Sequence, residues 1–281
     1  MQTPILMRTI RLLSLLALLL SLAGCAMFGE KEDKTKDWSA QKLYAEASES
    51  LNGGDYEAAI KYLEKLEARY PFGRYALQAQ LDIAYAYYKA DEPESAIAAA
   101  NRFIKLNPTN PYVDYAYYLK GLANFNRSYG FLERYMPIDA SQRDPGAAKD
   151  AFRDLSELVE KFPNSQYAED ARRRLIYLRN NLAYYEINVA HYYLRRGAYP
   201  AAVNRCNQVI EKYPRTPAVK DALEIMIEAY NKMGLEDLAK DTQRVLTLNI
   251  EQGTFAPLET AEPPPASLSR KLWDRLELDK N

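Results

Sequence analysis

The chain has 281 residues, 48% of them hydrophobic, which is enough to bury a sizeable core. Its net charge of −1 gives no global field for nucleic acid or an anionic membrane surface. One histidine and two cysteines leave little material for a metal site or a disulfide framework, and no cofactor motif is present, so the expected cofactors and metals are none. Tyrosine is abundant at 23 residues and glycine sparse at 11, a balance that suits helices with aromatic packing faces.

In chain order, residues 1–24 read as a secretory signal. Arg8 and Arg11 form a basic start, and the apolar run 12–22 is shorter than the roughly 20 residues needed to span a bilayer. The run ends in Leu22-Ala23-Gly24-Cys25, which resembles the bacterial lipobox. That resemblance implies cleavage before Cys25, a lipidated cysteine and firm membrane attachment by several acyl chains. Ala26 next to it is permissive for the outer membrane, because an Asp there usually retains such proteins at the inner membrane. Residues 25–36 are polar and read as a tether.

A repeat follows, clearest in residues 83–108. An apolar helical face (Ile83, Ala84, Tyr87, Tyr88), a turn at Asp91-Glu92-Pro93 and a second apolar face (Ala96, Ile97, Ala100, Phe103, Ile104) end at Asn107-Pro108. The frame of turn residue, alanine and proline recurs as Gly54/Ala59/Pro71, Gly146/Ala151/Pro163 and Gly197/Ala202/Pro214, and a fifth copy, Gly234/Ala239, carries Glu251 in place of the proline. Alanine lets two helix backbones approach, and glycine accepts the positive φ of a tight turn. This predicts an all-α solenoid over residues 37–252 with hairpins at about 38–71, 74–108, 112–163, 166–214 and 218–252, each burying its apolar face by stacking on its neighbour. The frame resembles the tetratricopeptide repeat. The small residue of that pattern's first helix falls on Ala47, Ala84, Gly121, Ala190 and, less well, Ile227.

Two copies depart from the plain frame. The third carries an insertion, residues 126–144, with Tyr129, Phe131, Leu132, Tyr135, Met136 and Ile138; it is too apolar to be merely solvated. The fourth begins with 165–196, which lacks Gly and Pro and predicts one helix of about 30 residues, roughly 45 Å long. Its Arg172, Arg173, Arg174, Arg179, Arg195 and Arg196 read individually as a solvated face paired with Glu169 and Asp170, and as a cluster as a surface for an acidic partner. Beyond Gly253, Pro257 and Pro263-Pro264-Pro265 mark a disordered linker, and residues 269–278 place Leu272, Trp273 and Leu276 on one side of a short amphipathic segment, either a docking motif or a fraying tail.

No catalytic motif appears, and the predicted catalytic residues are none. His191, beside the core position Ala190, reads as structural. Cys206, on a core position, reads as a buried inert thiol. The chain reads as a binding scaffold whose first helices carry Tyr44, Tyr85, Tyr88, Tyr117, Tyr118 and Asn124 toward a groove for an extended peptide, with more than half of all tyrosines filling space between helices.

The lipobox, the repeats, the insertion and the strings Arg69-Tyr70-Pro71-Phe72-Gly73, Ile83-Ala84-Tyr85-Ala86-Tyr87-Tyr88, Arg102-Phe103-Ile104-Lys105-Leu106-Asn107-Pro108 and Arg143-Asp144-Pro145 together resemble the BamD (ComL) family from about residue 43 to 250. The resemblance implies a non-catalytic lipoprotein at the periplasmic face of the outer membrane, within the machinery that inserts β-barrel proteins. The implied partners are the last POTRA domain of BamA, the other lipoproteins of that complex and unfolded β-barrel precursors. In Val203-Asn204-Arg205, Arg205 matches a family arginine at the BamA contact, with Arg195 and Arg196 on the same side. Two rival expectations are an adaptor for peptidoglycan enzymes and a hydrolase built on His191.

Overall fold

The computed structural model describes residues 33–128 and 140–255. The expected signal, Cys25, the start of the tether and the tail from residue 256 lie outside them, as does most of the insertion. Residues 33–39 form a turn of their own, in which Asp33 Oδ1 accepts from the Thr35 hydroxyl at 2.7 Å and from the Thr35 N–H at 3.1 Å.

From Ala40 onward the described residues form ten α-helices and no strand. They pair as α1 (Ala40–Gly53) with α2 (Tyr56–Arg69), α3 (Arg74–Lys89) with α4 (Pro93–Leu106), α5 (Val113–Ser128) with α6 (Gly146–Lys161), α7 (Ala168–Arg195) with α8 (Tyr199–Lys212), and α9 (Ala218–Lys232) with α10 (Glu236–Glu251). Each helix packs on the next, and first helices also meet across hairpins: α1 with α3, α3 with α5, and α7 with α9. This is the stacked-hairpin architecture, with the core lying between neighbouring units. None of the described helices is long and apolar enough to cross a membrane.

The alanine frame is the seam of the stack. Ala59, Ala96, Ala151 and Ala202 are completely buried, and Ala239 nearly so. The small residues of the first helices behave alike: Ala47, Ala84 and Ala190 are fully buried, and a Cβ added to Gly121 would overlap the buried Leu155 of α6. There the Leu155 side chain fills the space that a side chain at position 121 would need. Ile227 is only half-buried, because its helix turns Met226 and Ala229 inward instead.

The turn glycines divide by geometry. Gly54, Gly197 and Gly234 adopt φ of 79°, 73° and 73°, the left-handed region that glycine enters freely. Gly146 does not: the insertion replaces the tight turn, and Gly146 opens α6, its N–H donating to Asp144 Oδ1 at 3.3 Å. Conversely, Asp91 holds a left-handed φ of 62° without being glycine, as short polar side chains can. The described end of the insertion, a 3₁₀ turn at Ala140–Gln142, packs on α7, where Asn188 Nδ2 donates to Ser141 Oγ at 2.8 Å.

Cys206 sits in the core between α7, α8 and α9. Burial pushes its thiol up to about 12 from an ordinary 9.0. Since the thiolate is the nucleophile, Cys206 should resist alkylation at neutral pH in the folded protein and react fully in denaturant. Mass spectrometry after iodoacetamide reads the difference, and rapid labelling of native protein would refute the burial.

Candidate partner-binding surfaces

The six groove candidates lie on α1, α3 and α5, and the structure corrects their reading. Tyr44, Tyr85, Tyr117, Tyr118 and Asn124 are buried, and Tyr88 is half-buried. Tyr44 packs its ring 5.4 Å from Tyr75, Tyr117 packs 5.5 Å from Phe162, and Tyr118 stacks 4.8 Å from Tyr167. The reason is position. Helix α5 is covered by α3, α4 and α6, so both Tyr117 and its neighbour Tyr118 point into protein although they sit about 100° apart on the helix. Tyr88 remains partly accessible, its hydroxyl accepting from Asn126 Nδ2 at 3.0 Å.

Two buried polar clusters fix these helices, and neither was found from the sequence. In the first, Tyr118 donates its O–H to Asp170 Oδ2 at 2.6 Å, and the Arg174 Nε donates to the same oxygen at 2.5 Å while its guanidinium lies 4.7 Å from the centre of the Phe125 ring. Burial alone would pull the Arg174 guanidinium down, but Tyr118 and Asp170 more than offset this and its pKa is raised. In the second, fully buried Asp154 accepts from Asn124 Nδ2 at 2.6 Å and pairs with Lys120 at 3.1 Å and Arg153 at 3.2 Å. The available signal was spacing: Asp170 and Arg174 stand four apart among Ala171 and Leu178, which all face the core.

The arginines of α7 therefore do not form one solvated cluster. Arg172 and Arg173 are exposed, Arg172 reaching Glu169 at 4.0 Å; Arg174 is buried, and Arg179 is half-buried. At the far end of the helix Arg195 and Arg196 are both exposed, and the Arg196 guanidinium lies 5.6 Å from the ring centre of Tyr192. Asn188, His191, Tyr192 and Arg195 of α7 border a recess of about 440 Å³ whose other wall includes Ser141 and Gln142. His191 is exposed on this rim rather than packed. The Asp221 carboxyl of α9 is pushed up by burial, with His191 partly opposing. Ser141 and His191 thus border the same recess, and the Ser141 hydroxyl accepts from the Asn188 side-chain amide at 2.8 Å.

Arg205 is placed differently from Arg195 and Arg196. Its Nη1 donates at 2.9 Å to Oε2 of Glu186, whose side chain is only 7% exposed, and Tyr193 is a further hydrogen-bond partner. That hydrogen bond to Glu186 raises the Arg205 pKa, with burial pulling the other way and the Glu186 charge adding to the rise. The acidic partner expected for this guanidinium from outside is present within the same hairpin.

A family model for YfiO, described as an outer membrane lipoprotein, matches residues 36–246, the helical stack up to the last turns of α10. The chain belongs to the YfiO family. Its relatives include proteins named outer membrane protein assembly factor BamD from Neisseria meningitidis serogroup A, 46% identical over 87% of this chain and 93% of the relative, and from Vibrio cholerae, 43% identical over 84% and 96%. The Haemophilus influenzae protein of the same name is 36% identical over 92% of this chain and 97% of its own. Among solved structures, a crystal structure of MamA protein aligns with 80% of this YfiO chain and 98% of its own at 18% identity, with a TM-score of 0.36.

Proposed function

We propose that the protein is a non-catalytic scaffold of outer-membrane protein assembly, moored by lipid on Cys25, that holds BamA through its C-terminal hairpins and receives unfolded β-barrel precursors on its N-terminal ones. The relatives' shared name supports the assembly role. One observation carries the partner side: Arg195 and Arg196 stand exposed at the end of α7, beside a recess bordered by the half-exposed ring of Tyr192. Arginines with an adjacent tyrosine are the residue types enriched at the centres of protein interfaces. They suit a POTRA domain that offers carboxylates, which a guanidinium binds in bidentate fashion.

On the precursor side, the buried tyrosines leave Tyr88 together with side chains of the inter-hairpin loops. Phe72 is 90% exposed, and Leu106 and Tyr112 are also exposed. Each of these loops joins a second helix to the next first helix, so they recur along one edge of the stack. An apolar edge of this kind fits a precursor segment that ends in an aromatic residue.

The decisive experiment is Arg195→Glu with Arg196→Glu, followed by co-purification with BamA from membranes. The loss should be about tenfold or more, since like charges facing a carboxylate-bearing partner repel. The melting curve should hold, because both side chains are exposed. Undiminished co-purification of a folded double variant would remove this surface from the contact.

A further inference from the structure

Among the described residues α10 is the last helix of the stack, and α9 is its main helical neighbour. Its inward side places Ala239, Thr242 and Leu246 against α9. The turn beyond that buried stripe is also apolar. Leu238, Val245 and Leu248 are 47%, 44% and 51% exposed, at spacings of seven and three that keep them on one side of the helix. Asp241 lies between Leu238 and Val245 on that side, its side chain 65% exposed and paired at 3.2 Å with the exposed Arg244, a contact of little energetic weight. A terminal repeat ordinarily presents a polar outer face, so three large apolar side chains in a row here are unusual.

The chain itself offers a complement. Gly253, at φ 65°, and the bond from the Thr254 N–H to the Asn249 carbonyl stop α10 and turn the backbone off its axis. Twenty-six residues follow, from 256 to 281. The first thirteen hold Pro257, Pro263, Pro264 and Pro265; at about 3.1 Å per residue they reach roughly 40 Å. Helix α10, at about 1.5 Å per residue, is some 24 Å long, so every part of it is within reach. Next come Arg270, Lys271, Leu272, Trp273, Asp274, Arg275, Leu276 and Glu277, three basic residues against two acidic ones. Leu272 and Leu276 stand four apart with Trp273 adjoining, an apolar stripe in a helix, and the basic excess complements Asp237 and Asp241 of α10, Glu236 being paired with Lys240 at 3.5 Å.

We infer that residues 269–278 dock in cis on the outer face of α10, with Leu272, Trp273 and Leu276 covering Leu238, Val245 and Leu248. The segment is too short to hold a helix alone, but tethering changes the balance. A short linker supplies an effective concentration on the order of a millimolar, so an intrinsic Kd of about 0.1 mM leaves the segment docked about nine-tenths of the time. The tail acts as the missing cap of the solenoid. This inference does not rest on the partner assignment above, since both surfaces involved belong to this chain.

Trp273 reports the state directly. In the full chain in lipid nanodiscs, Trp38→Phe leaves Trp273 as the sole tryptophan. Its emission should be blue-shifted and protected from acrylamide. Val245→Glu or Leu248→Glu should return it toward the emission of a water-exposed indole, the docked fraction falling to about a half for a tenfold loss of intrinsic affinity and to about a tenth for a hundredfold loss. Both side chains lie outside the packed core of the stack, so the chain should stay folded, its melting temperature falling by only a few degrees as the cap is lost. Leu272→Glu with Leu276→Glu, in the tail itself, should release Trp273 in the same way. Water-exposed emission in the unsubstituted chain overturns the inference. So does a blue shift that the α10 substitutions leave in place, which seats the indole elsewhere, or one that fades on dilution, which makes a second copy the occupant.

Discussion

Raising the pH beyond about 10 should unfold the helical stack, with the loss beginning near the ordinary thiol value. Tyr115, Tyr118 and Tyr167 are buried where α5 meets the start of α7. Burial is the largest reason each phenol keeps its proton above its ordinary 10.0. At Tyr118 the Arg174 cation works against this, and Asp170 works with it. At Tyr115 the neighbouring Tyr167 adds to the shift. Cys206 moves in the same direction, to about 12 from 9.0.

The direction of the effect follows from which state loses protons first. The folded values are raised, so the unfolded chain deprotonates first as pH rises and binds fewer protons than the folded one. Below the ordinary values both states are protonated and the contribution is complete. Above them it is lost, up to about 1.4 kcal/mol per pH unit for each group. Cys206 acts alone between the ordinary thiol and phenol values. With the three tyrosines added, the slope approaches about 5 kcal/mol per pH unit, against a typical total stability of about 5–15 kcal/mol. Urea midpoints measured from neutral pH to about pH 11 should stay flat and then fall steeply, with exposed phenols such as Tyr112 and Tyr192 ionising in the folded chain and the further tyrosinate absorbance of the buried ones appearing together with unfolding. Tyr167→Phe should remove about a quarter of the final slope. Midpoints insensitive to pH, or a Tyr167→Phe variant that lowers the tyrosinate absorbance of the still-folded chain, would show that these phenols are open to water.

Which parts of this molecule could be read from the chain follows from where each residue's constraint originates. The alanine seam was legible because its constraint is local and repeated: Ala59, Ala96, Ala151, Ala202 and Ala239 each sit where two backbones meet, and every hairpin imposes the same limit on size. The long α7 was legible for a similar reason, as nothing between Ala168 and Arg195 interrupts a helix. Gly146 misled, because the insertion changes the turn without changing the residue, and Asp91 shows that the positive φ itself does not demand glycine.

The site was less legible than the fold. A helical period says that Tyr85 and Tyr118 share faces with their neighbours, but not how many helices will cover those faces. Covering is set by α3, α4 and α6 around α5, which is a tertiary matter. The polar clusters are hidden for the same reason: Tyr118 and Asp170 lie 52 residues apart, and Asn124 and Asp154 lie 30 apart. Exposed Phe72 was visible within Arg69-Tyr70-Pro71-Phe72-Gly73, yet only the structure shows that its ring faces solvent.

Arg205→Glu should destabilise the fourth hairpin as well as any contact with BamA, so the single substitution cannot isolate an interface. The reason is that Arg205 compensates Glu186, a carboxylate with a 7% exposed side chain. Removing the partner of a buried charge costs about 3–5 kcal/mol, and a second carboxylate adds repulsion. Arg205 is itself 34% exposed, so water screens part of this and about 2–3 kcal/mol is the sounder expectation. For a chain of this size that lowers the melting temperature by roughly 5–10 °C. Glu186→Gln combined with Arg205→Gln avoids the orphaned charge: two neutral amides replace the pair, and most of the stability should return. The double variant then separates the two roles. If Arg205 also touches BamA, the refolded double variant still binds poorly; if it binds like the parent, the guanidinium serves the hairpin alone. A single Arg205→Glu variant that melts like the parent would mean that Glu186 is not buried against it.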